Sequence, residues 1–146
     1  MQLTSDGSAN FPQPCLALPN QTVSGSTVVR GNVFLASNNF HLVLVNTTDS
    51  RVFDNFFGPN LRPGSISADN LTTVSTLFQA AAAPQRLAWP ARNVVGGEFL
   101  AGNWFVDYVG RDTSGDGIGD TDVPYTANGA IKGGGDSMPL KIPNSP

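Results

Sequence analysis

Short apolar runs separated by small polar residues occupy the chain from residue 22 to about residue 60. Each run is about four to eight residues long, rich in Val, Phe and Thr, and bounded by Gly, Asn or Ser, which is typical of β-strands and their turns. The runs lie in three segments: STVVRGNVFLAS at 26–37, FHLVLVNTT at 40–48 and SRVFDNFFG at 50–58. The pattern predicts an all-β fold built from short strands.

A second pattern is a repeat of 23 residues, which places Asn32 over Asn55 and Phe34 over Phe57. Three tetrapeptides occupy the same phase of this repeat: GNVF begins at residue 31, DNFF at residue 54 and GNWF at residue 102. The third follows the second by close to two periods. Such a repeat is typical of a β-solenoid, in which coils of short strands stack like residue on like. Asn side chains can then form ladders along the stack. At this period the chain has room for about five coils.

The chain divides into unequal parts around this repeat. Residues 1–21 are polar and punctuated by proline, and are predicted to form an N-terminal arm or cap. Residues 22–143 are predicted to form one β-helix domain, which is long enough for a core of its own. The last part of that domain, residues 102–143, is predicted to be a capping segment.

The repeat breaks at about residues 60–92, where a loop or short-helix excursion is predicted. The run Ala80–Ala83 is stopped by Pro84, so residues 76–83 form either a short helical turn or part of a loop that leaves the stack. Trp89 is interpreted as a core residue that packs this excursion against the body, with sugar stacking as the alternative.

The Asp-rich segment RDTSGDGIGDTDVPY, at 111–125, has the spacing of a calcium loop. Hard oxygen ligands at alternating positions suit Ca²⁺, and Gly117 would supply the sharp turn. The predicted ligands are Asp112, Ser114, Asp116, Ile118 through its carbonyl, Asp120 and Asp122. The loop has Val123 where a bidentate Glu is usual, so Asp122 would serve only by a different chain path. In the alternative, the aspartates cap turns through their own hydrogen bonds and the glycines supply positive φ.

Three motifs near the C-terminus resemble the end of right-handed parallel β-helix proteins of the NosD-like surface-protein group. They are GNWFVDY at 102–108, the segment from Asp112 to Asp120 with Pro124-Tyr125 after it, and DSMPL at 136–140. The resemblance is strong over roughly the last 50 residues and looser over residues 22–60. Ser114 and the insertion at 121–123 depart from the family pattern. The resemblance implies a short right-handed parallel β-helix with a C-terminal cap and an exported or surface habitat.

Charge and cysteine content exclude several classes of function. The net charge is −3, and eight Lys and Arg residues are scattered without a basic stripe, so nucleic acid is not expected as a partner. No apolar run is long enough to span a membrane, and the N-terminus lacks the basic and apolar segments of a signal peptide. Cys15 is the single cysteine, which excludes an intrachain disulfide. Three sequons, at Asn20, Asn46 and Asn70, are candidate glycosylation sites of an exported protein.

These observations favour a non-enzymatic structural or binding module of an exported, cell-surface or virion assembly that self-associates into an oligomer. The alternative is a carbohydrate-binding or polysaccharide-active protein, because β-helix folds also host lyases and hydrolases. No catalytic residue is assigned. The carboxylates weighed for an enzyme are Asp49, Asp54 and Asp69, and the aromatic residues weighed for sugar binding are Trp89, Phe53 and Phe57. His41, the single histidine, lies in an apolar run and is predicted to be a core or solvent-edge residue rather than a metal ligand.

Overall fold

The computed structural model describes residues 16–18, 27–61, 65–73 and 75–143, and these residues form an all-β protein with one four-residue helix. The strands have two or three residues each. They are β1 Leu16–Leu18, β2 Val28–Arg30, β3 Val33–Phe34, β4 Leu42–Leu44, β5 Arg51–Phe53, β6 Phe56–Phe57, β7 Ile66–Ala68, β8 Gln85–Arg86, β9 Phe99–Leu100 and β10 Trp104–Phe105, and the helix is α1 Asn70–Thr73. The strands predicted in the three apolar segments are therefore confirmed, although they are shorter than the segments.

Three of the four sheets consist of parallel strands that are distant in sequence. Their orders are β1–β4–β7, β3–β6–β10 and β2–β5, whereas β8 and β9 pair antiparallel. Phe34 pairs with Phe57, and Phe57 pairs with Phe105. The 23-residue repeat is thus confirmed as strand register, and the three tetrapeptides of the same phase lie beside one another.

Each of two predicted segments contains two strands because a residue with positive φ turns the chain between them. Gly31, between β2 and β3, has φ of 67°, and Asp54, between β5 and β6, has φ of 55°. The two corners are stacked, since the Gly31 N–H donates to the Asp54 carbonyl at 2.9 Å. The Asp54 N–H donates in turn to the Gly102 carbonyl at 2.7 Å. Left-handed backbone ends a strand, which explains why the runs do not form long strands.

The core is a column of aromatic rings inside the parallel sheets. Phe34 stacks on Phe57 with ring centroids 4.9 Å apart, Phe57 on Phe105 at 5.3 Å, and Phe105 on Tyr125 at 4.0 Å. All four side chains are buried. Since the strands are in register, the repeat stacks the largest apolar side chains directly over one another, as the sequence pattern predicts.

The segment at 60–92 contains both strand and loop. Ile66–Ala68 pairs with β4 as strand β7, and α1 follows it. Residues 76–83 are not helical, so the predicted helical turn is wrong, and Leu77 forms an isolated parallel bridge with Arg51, so at this point the chain stays beside β5 instead of leaving the sheets. The interpretation of Trp89 as a core residue is wrong, because its side chain is 81% exposed. The arm or cap predicted at 1–21 lies outside the described residues except for 16–18, which form β1.

The C-terminal segment folds back beside the strand-rich part of the chain. Leu140 N–H donates to the Asn103 carbonyl at 2.7 Å, and Gly102 N–H donates to the Met138 carbonyl at 2.9 Å. Tyr125 and Asp136 form an isolated antiparallel bridge. Backbone groups of residues 102–103 thus find partners in the DSMPL motif. Among the described residues, no helix has the length and apolar character that crossing a membrane requires.

The side chains along GNWFVDY alternate between the two faces only as far as Val106. Phe105 faces the core, whereas Trp104 is half-buried and Val106 is exposed. Tyr108, which strict alternation would place on the face of Trp104, is buried and lies edge-on to Tyr125 at 6.1 Å. Strand β10 ends at Phe105, and the turn that follows it rotates Tyr108 towards the core. A period of two applies only where the chain is extended.

Candidate functional site

A ladder of three asparagines runs through the parallel sheets at the phase that the repeat predicts. Asn32 Nδ2 donates to Asn55 Oδ1 at 3.0 Å, and Asn55 Nδ2 donates to Asn103 Oδ1 at 2.9 Å. Asn55 and Asn103 are fully buried. Their amide groups also donate to main-chain carbonyls, among them Val29 O at 2.8 Å and Val52 O at 2.9 Å. The ladder satisfies main-chain groups that the turns would otherwise leave without partners.

Asp136 of the DSMPL motif closes this ladder. Its Oδ2 accepts hydrogen bonds from Asn103 N at 2.6 Å and from Asn103 Nδ2 at 3.0 Å, and its Oδ1 accepts one from Met138 N at 3.0 Å. The carboxyl group is completely buried, and a Cβ atom at Gly102 would collide with it, so this position requires glycine. Burial raises the pKa of Asp136 to about 7, against the opposing effect of these donors. Asp136 is a structural residue that the sequence places in a motif but to which it assigns no role.

In the Asp-rich loop, Asp112 is bonded to the backbone of the residues that follow it. Its Oδ1 accepts from Gly115 N at 2.7 Å and from Asp116 N at 3.2 Å, and its Oδ2 accepts from Gly117 N at 2.8 Å. Gly117 has φ of 85°, so the sharp turn predicted there is confirmed. A short carboxylate side chain that accepts successive N–H groups stabilises a tight turn without another partner.

Asp120 closes the same loop from its other end. Its Oδ2 accepts from Thr113 N at 2.6 Å, from Thr113 Oγ1 at 2.7 Å and from Ser114 N at 2.8 Å. The hydroxyl of Thr113 and the N–H groups of Ser114 and Thr113 lower the pKa of Asp120, because they stabilise the ionised carboxylate. Two aspartates therefore hold the ends of the loop together.

The predicted calcium ligands are brought together only in part. Ser114 Oγ donates to Asp112 Oδ1 at 3.3 Å, whereas Asp116 Oδ1 accepts from Ile118 N at 2.9 Å and Asp122 contacts the hydroxyl of its neighbouring threonine at 3.4 Å. In the part of the chain that the structure describes, no three His, Cys, Asp or Glu side chains converge to hold a metal ion. The observed hydrogen bonds are those of the turn-capping alternative, and Ca²⁺ stays a prediction.

We expect removal of calcium to leave the melting temperature unchanged, because the carboxylates of Asp112 and Asp120 hold the loop through its own N–H groups. The measurement is thermal unfolding by circular dichroism in EGTA and in excess CaCl₂, with elemental analysis of the purified protein. A higher melting temperature in calcium, together with one bound ion per chain, would establish the calcium alternative. Asp120→Asn, which keeps one acceptor, would then lose that calcium-dependent shift.

Two of the three carboxylates weighed for catalysis have structural contacts, whereas Asp49 is exposed. Asp54 is buried; its Oδ2 lies 3.3 Å from Arg30 Nε, and its Oδ1 accepts from Val94 N at 2.7 Å. Asp69 accepts from Thr72 N at 2.7 Å and so caps the first turn of α1. Sequence reasoning finds no basic partner for Asp54. Arg30 comes beside it because β2 and β5 pair in register, with Arg30 opposite the residue that precedes Asp54.

The single histidine and two of the aromatic residues weighed for sugar binding lie in the interior. His41 is fully buried, and its Nε2 donates to the Gly58 carbonyl at 3.0 Å, so the predicted core position is confirmed. Burial lowers the pKa of His41, which favours the neutral ring. Phe53 and Phe57 are buried as well. Neither phenylalanine presents a ring to a ligand.

Two of the candidate glycosylation sites lie among the described residues. Asn70 is exposed at the first position of α1, and Asn46 is half-buried at a corner with φ of 50°. Asn20 lies outside the described residues, as does Cys15. Glycosylation at these positions stays a prediction.

A feature that the sequence did not reveal is a cleft between the turn at 93–98 and the Asp-rich loop. Its volume is about 490 Å³, and Arg92, Glu98, Asp112 and Asp116 are among the residues that line it. The guanidinium of Arg92 also lies over the ring of Trp89, 4.7 Å from the centroid. The Asp-rich loop carries a motif but the turn at 93–98 does not, so sequence reasoning could not place these two segments side by side.

Comparisons with protein-family models, with curated proteins and with solved structures found no match to this chain. The resemblance to the NosD-like group is therefore a prediction that rests on the motifs at 102–140, and any function has to be argued from the residues of this chain.

Proposed function

We propose that this chain is a non-enzymatic structural or binding module that self-associates within an exported, cell-surface or virion assembly. The observation that carries the proposal is the apolar outer face of the β3–β6–β10 sheet. Val33 on this face is 61% exposed, and it pairs with Phe56, which in turn pairs with Trp104. Phe56 and Trp104 are half-buried and stack at 4.1 Å between ring centroids.

A second row continues this face one residue beyond the end of each of the three strands. Leu35 is 55% exposed and Val106 is also exposed, while Gly58 between them has no side chain. A Cβ atom at Gly58 would collide with Leu35, so the leucine side chain lies across the glycine. We call these five side chains, Val33, Leu35, Phe56, Trp104 and Val106, the outer apolar face. A contiguous apolar surface of this kind marks an interaction site more often than scattered apolar residues do.

The architecture that we propose for the module is the short right-handed parallel β-helix with a C-terminal cap. Support comes from the parallel pairing of all described strands outside β8–β9 and from the 23-residue spacing of paired positions in β2–β5 and β3–β6. In the part of the chain that the structure describes, the longest row of paired positions has four levels, in which Leu18, Leu44, Ala68 and Ile131 follow one another. The length of the chain predicts a fifth coil, and that coil is part of the proposed architecture. The hydrogen bonds of Asp136 and Leu140 to residue 103 support the role of 102–143 as the cap.

Val33→Lys is expected to abolish self-association, because a charge in the middle of an apolar interface has no partner there. The measurement is analytical ultracentrifugation of the wild type and the variant over a wide range of concentration. Val109→Lys is the matched control, since Val109 is 81% exposed and lies outside the outer apolar face. It should leave the association state of the wild type unchanged. A wild-type protein that stays monomeric at high concentration would contradict the proposal.

The second candidate function is carbohydrate binding, and the exposure of Trp89 favours it. A large aromatic side chain in solvent beside a cleft is an unusual feature of a surface and is common in binding sites. Polysaccharide cleavage has less support, because two of the three candidate carboxylates, Asp54 and Asp69, make the structural contacts described above. A hydrolase would need two carboxylates with free access to substrate.

A further inference from the structure

The cleft beside Trp89 has two walls of defined shape. One wall is the turn at 93–98, where Asn93 Oδ1 accepts from Gly97 N at 2.7 Å and Asn93 Nδ2 donates to the Phe99 carbonyl at 2.8 Å. The other wall is the Asp-rich loop, which Asp112 holds through the bonds to Gly115 and Gly117. Both walls are fixed by side-chain bonds to the backbone. A volume of about 490 Å³ lies within the range of small-ligand sites.

The charges in this cleft restrict what it binds. Among the described residues, three carboxylates line it, those of Glu98, Asp112 and Asp116, against the one cation Arg92. Arg86 lies outside the lining and pairs with Glu98 at 2.7 Å, which orients that carboxylate. An excess of negative charge repels ligands that carry carboxylate or sulfate groups. The same carboxylates are strong acceptors for hydroxyl donors.

Arg92 connects the cleft to Trp89. It lines the cleft, lies 3.9 Å from Glu98 Oε1 and places its guanidinium over the indole ring. A ligand that contacts Arg92 therefore lies beside an exposed aromatic surface. A pyranose ring presents two kinds of surface, its hydroxyl groups and its C–H faces. The carboxylates and the guanidinium can form hydrogen bonds with the hydroxyl groups, and the aromatic ring can stack on a C–H face.

We propose that this cleft binds a neutral saccharide, with Arg92 and Asp116 bonded to its hydroxyl groups and Trp89 stacked on the adjoining sugar ring. The inference rests on the second candidate function, carbohydrate binding, and names both its site and its class of ligand. Acidic glycans are excluded from the site by its charge. Phe99 and Pro143 supply apolar lining.

The test is isothermal titration calorimetry of the whole chain with neutral hexasaccharides of glucose, mannose, xylose and N-acetylglucosamine, and with oligogalacturonate as the acidic probe. We expect at least one neutral hexasaccharide to bind and oligogalacturonate not to bind. Arg92→Ala, Asp116→Asn and Trp89→Ala should each weaken that binding about tenfold, since each removes one contact of ordinary strength. All three side chains are exposed, and Asn at 116 keeps an acceptor for Ile118 N, so the fold should be retained. Asp122→Asn is the matched control and should change the affinity less than about twofold.

The possible outcomes distinguish failure of the proposed site from failure of the candidate function. If a neutral hexasaccharide binds and the substitutions at 89, 92 and 116 leave its affinity unchanged, this cleft is not the site, although carbohydrate binding stands. If only oligogalacturonate binds, the charge argument is wrong and the inference fails. If none of the glycans binds, both the inference and the second candidate function are overturned.

Discussion

Replacing Asn103 by alanine is expected to lower the free energy of unfolding by about 3 kcal/mol or more. Asn103 is fully buried, and its amide donates to Val52 O at 2.9 Å, to Phe78 O at 3.1 Å and to Asp136 Oδ2 at 3.0 Å. Its Oδ1 accepts from Asn55 Nδ2 at 2.9 Å. Alanine would leave each of these groups without this partner in the interior, and the buried carboxylate would lose one of its donors. Urea unfolding followed by circular dichroism measures the change.

The matched control is Asn32→Ala, at the other end of the same ladder. Asn32 occupies the same phase of the repeat but is exposed, so water can replace the hydrogen bonds that it makes. We expect a loss of about 1 kcal/mol or less. Equal losses for the two variants would show that burial of the ladder does not determine its contribution. The role assigned to Asp136 as the end of the ladder would then have no energetic support.

Replacing Phe57 by alanine is expected to cost about 4 kcal/mol. Phe57 is fully buried and lies between Phe34 at 4.9 Å and Phe105 at 5.3 Å in the aromatic column. Its neighbours belong to strands held by backbone hydrogen bonds, so they cannot close the cavity that the missing ring leaves. The midpoint of denaturant unfolding should fall, while the spectrum of the folded variant at low denaturant keeps its β-sheet form.

Phe56→Ala is the control for this substitution, because Phe56 is the adjacent residue on the same strand and faces outwards. Its ring is half-buried and stacks on Trp104, so its removal exposes an existing surface and creates no closed cavity. We expect a loss of about half that of Phe57→Ala or less, measured at a concentration where the chain is monomeric. A larger loss for Phe56 would reverse the assignment of the inner and outer faces.

The stacking of the strands could be predicted from the sequence because it depends on a residue pattern that repeats along the chain. A parallel pair in register places residues of equal phase side by side, so Asn32, Asn55 and Asn103 form a ladder wherever the phase is kept. The insertion between the second and third of these residues changes only the spacing, to 48 residues. For the same reason Phe34, Phe57 and Phe105 share the core.

The candidate site was predictable only in part, because its residues come from segments that do not repeat. The spacing of the Asp-rich loop indicated oxygen ligands, but it could not show that Asp112 and Asp120 bond to N–H groups of the loop itself. No pattern placed Arg92 over Trp89 or put both beside this loop. Contacts between irregular segments depend on the path of the chain that connects them, and neither the periodicity nor the composition of the sequence predicts that path.

From the sequence alone one can derive the short strands, their parallel register and the identity of the buried ladder, since all three follow from local pattern and period. Four features could be seen only in the tertiary structure. They are the direction of Tyr108, the exposure of Trp89, the pairing of Asp54 with Arg30 and the burial of Asp136. Each of these features is set by a turn or by a neighbour that lies outside the repeat. The period of the sequence therefore does not predict the direction of such a side chain. The physical division is between interactions that recur along the chain and interactions that occur once.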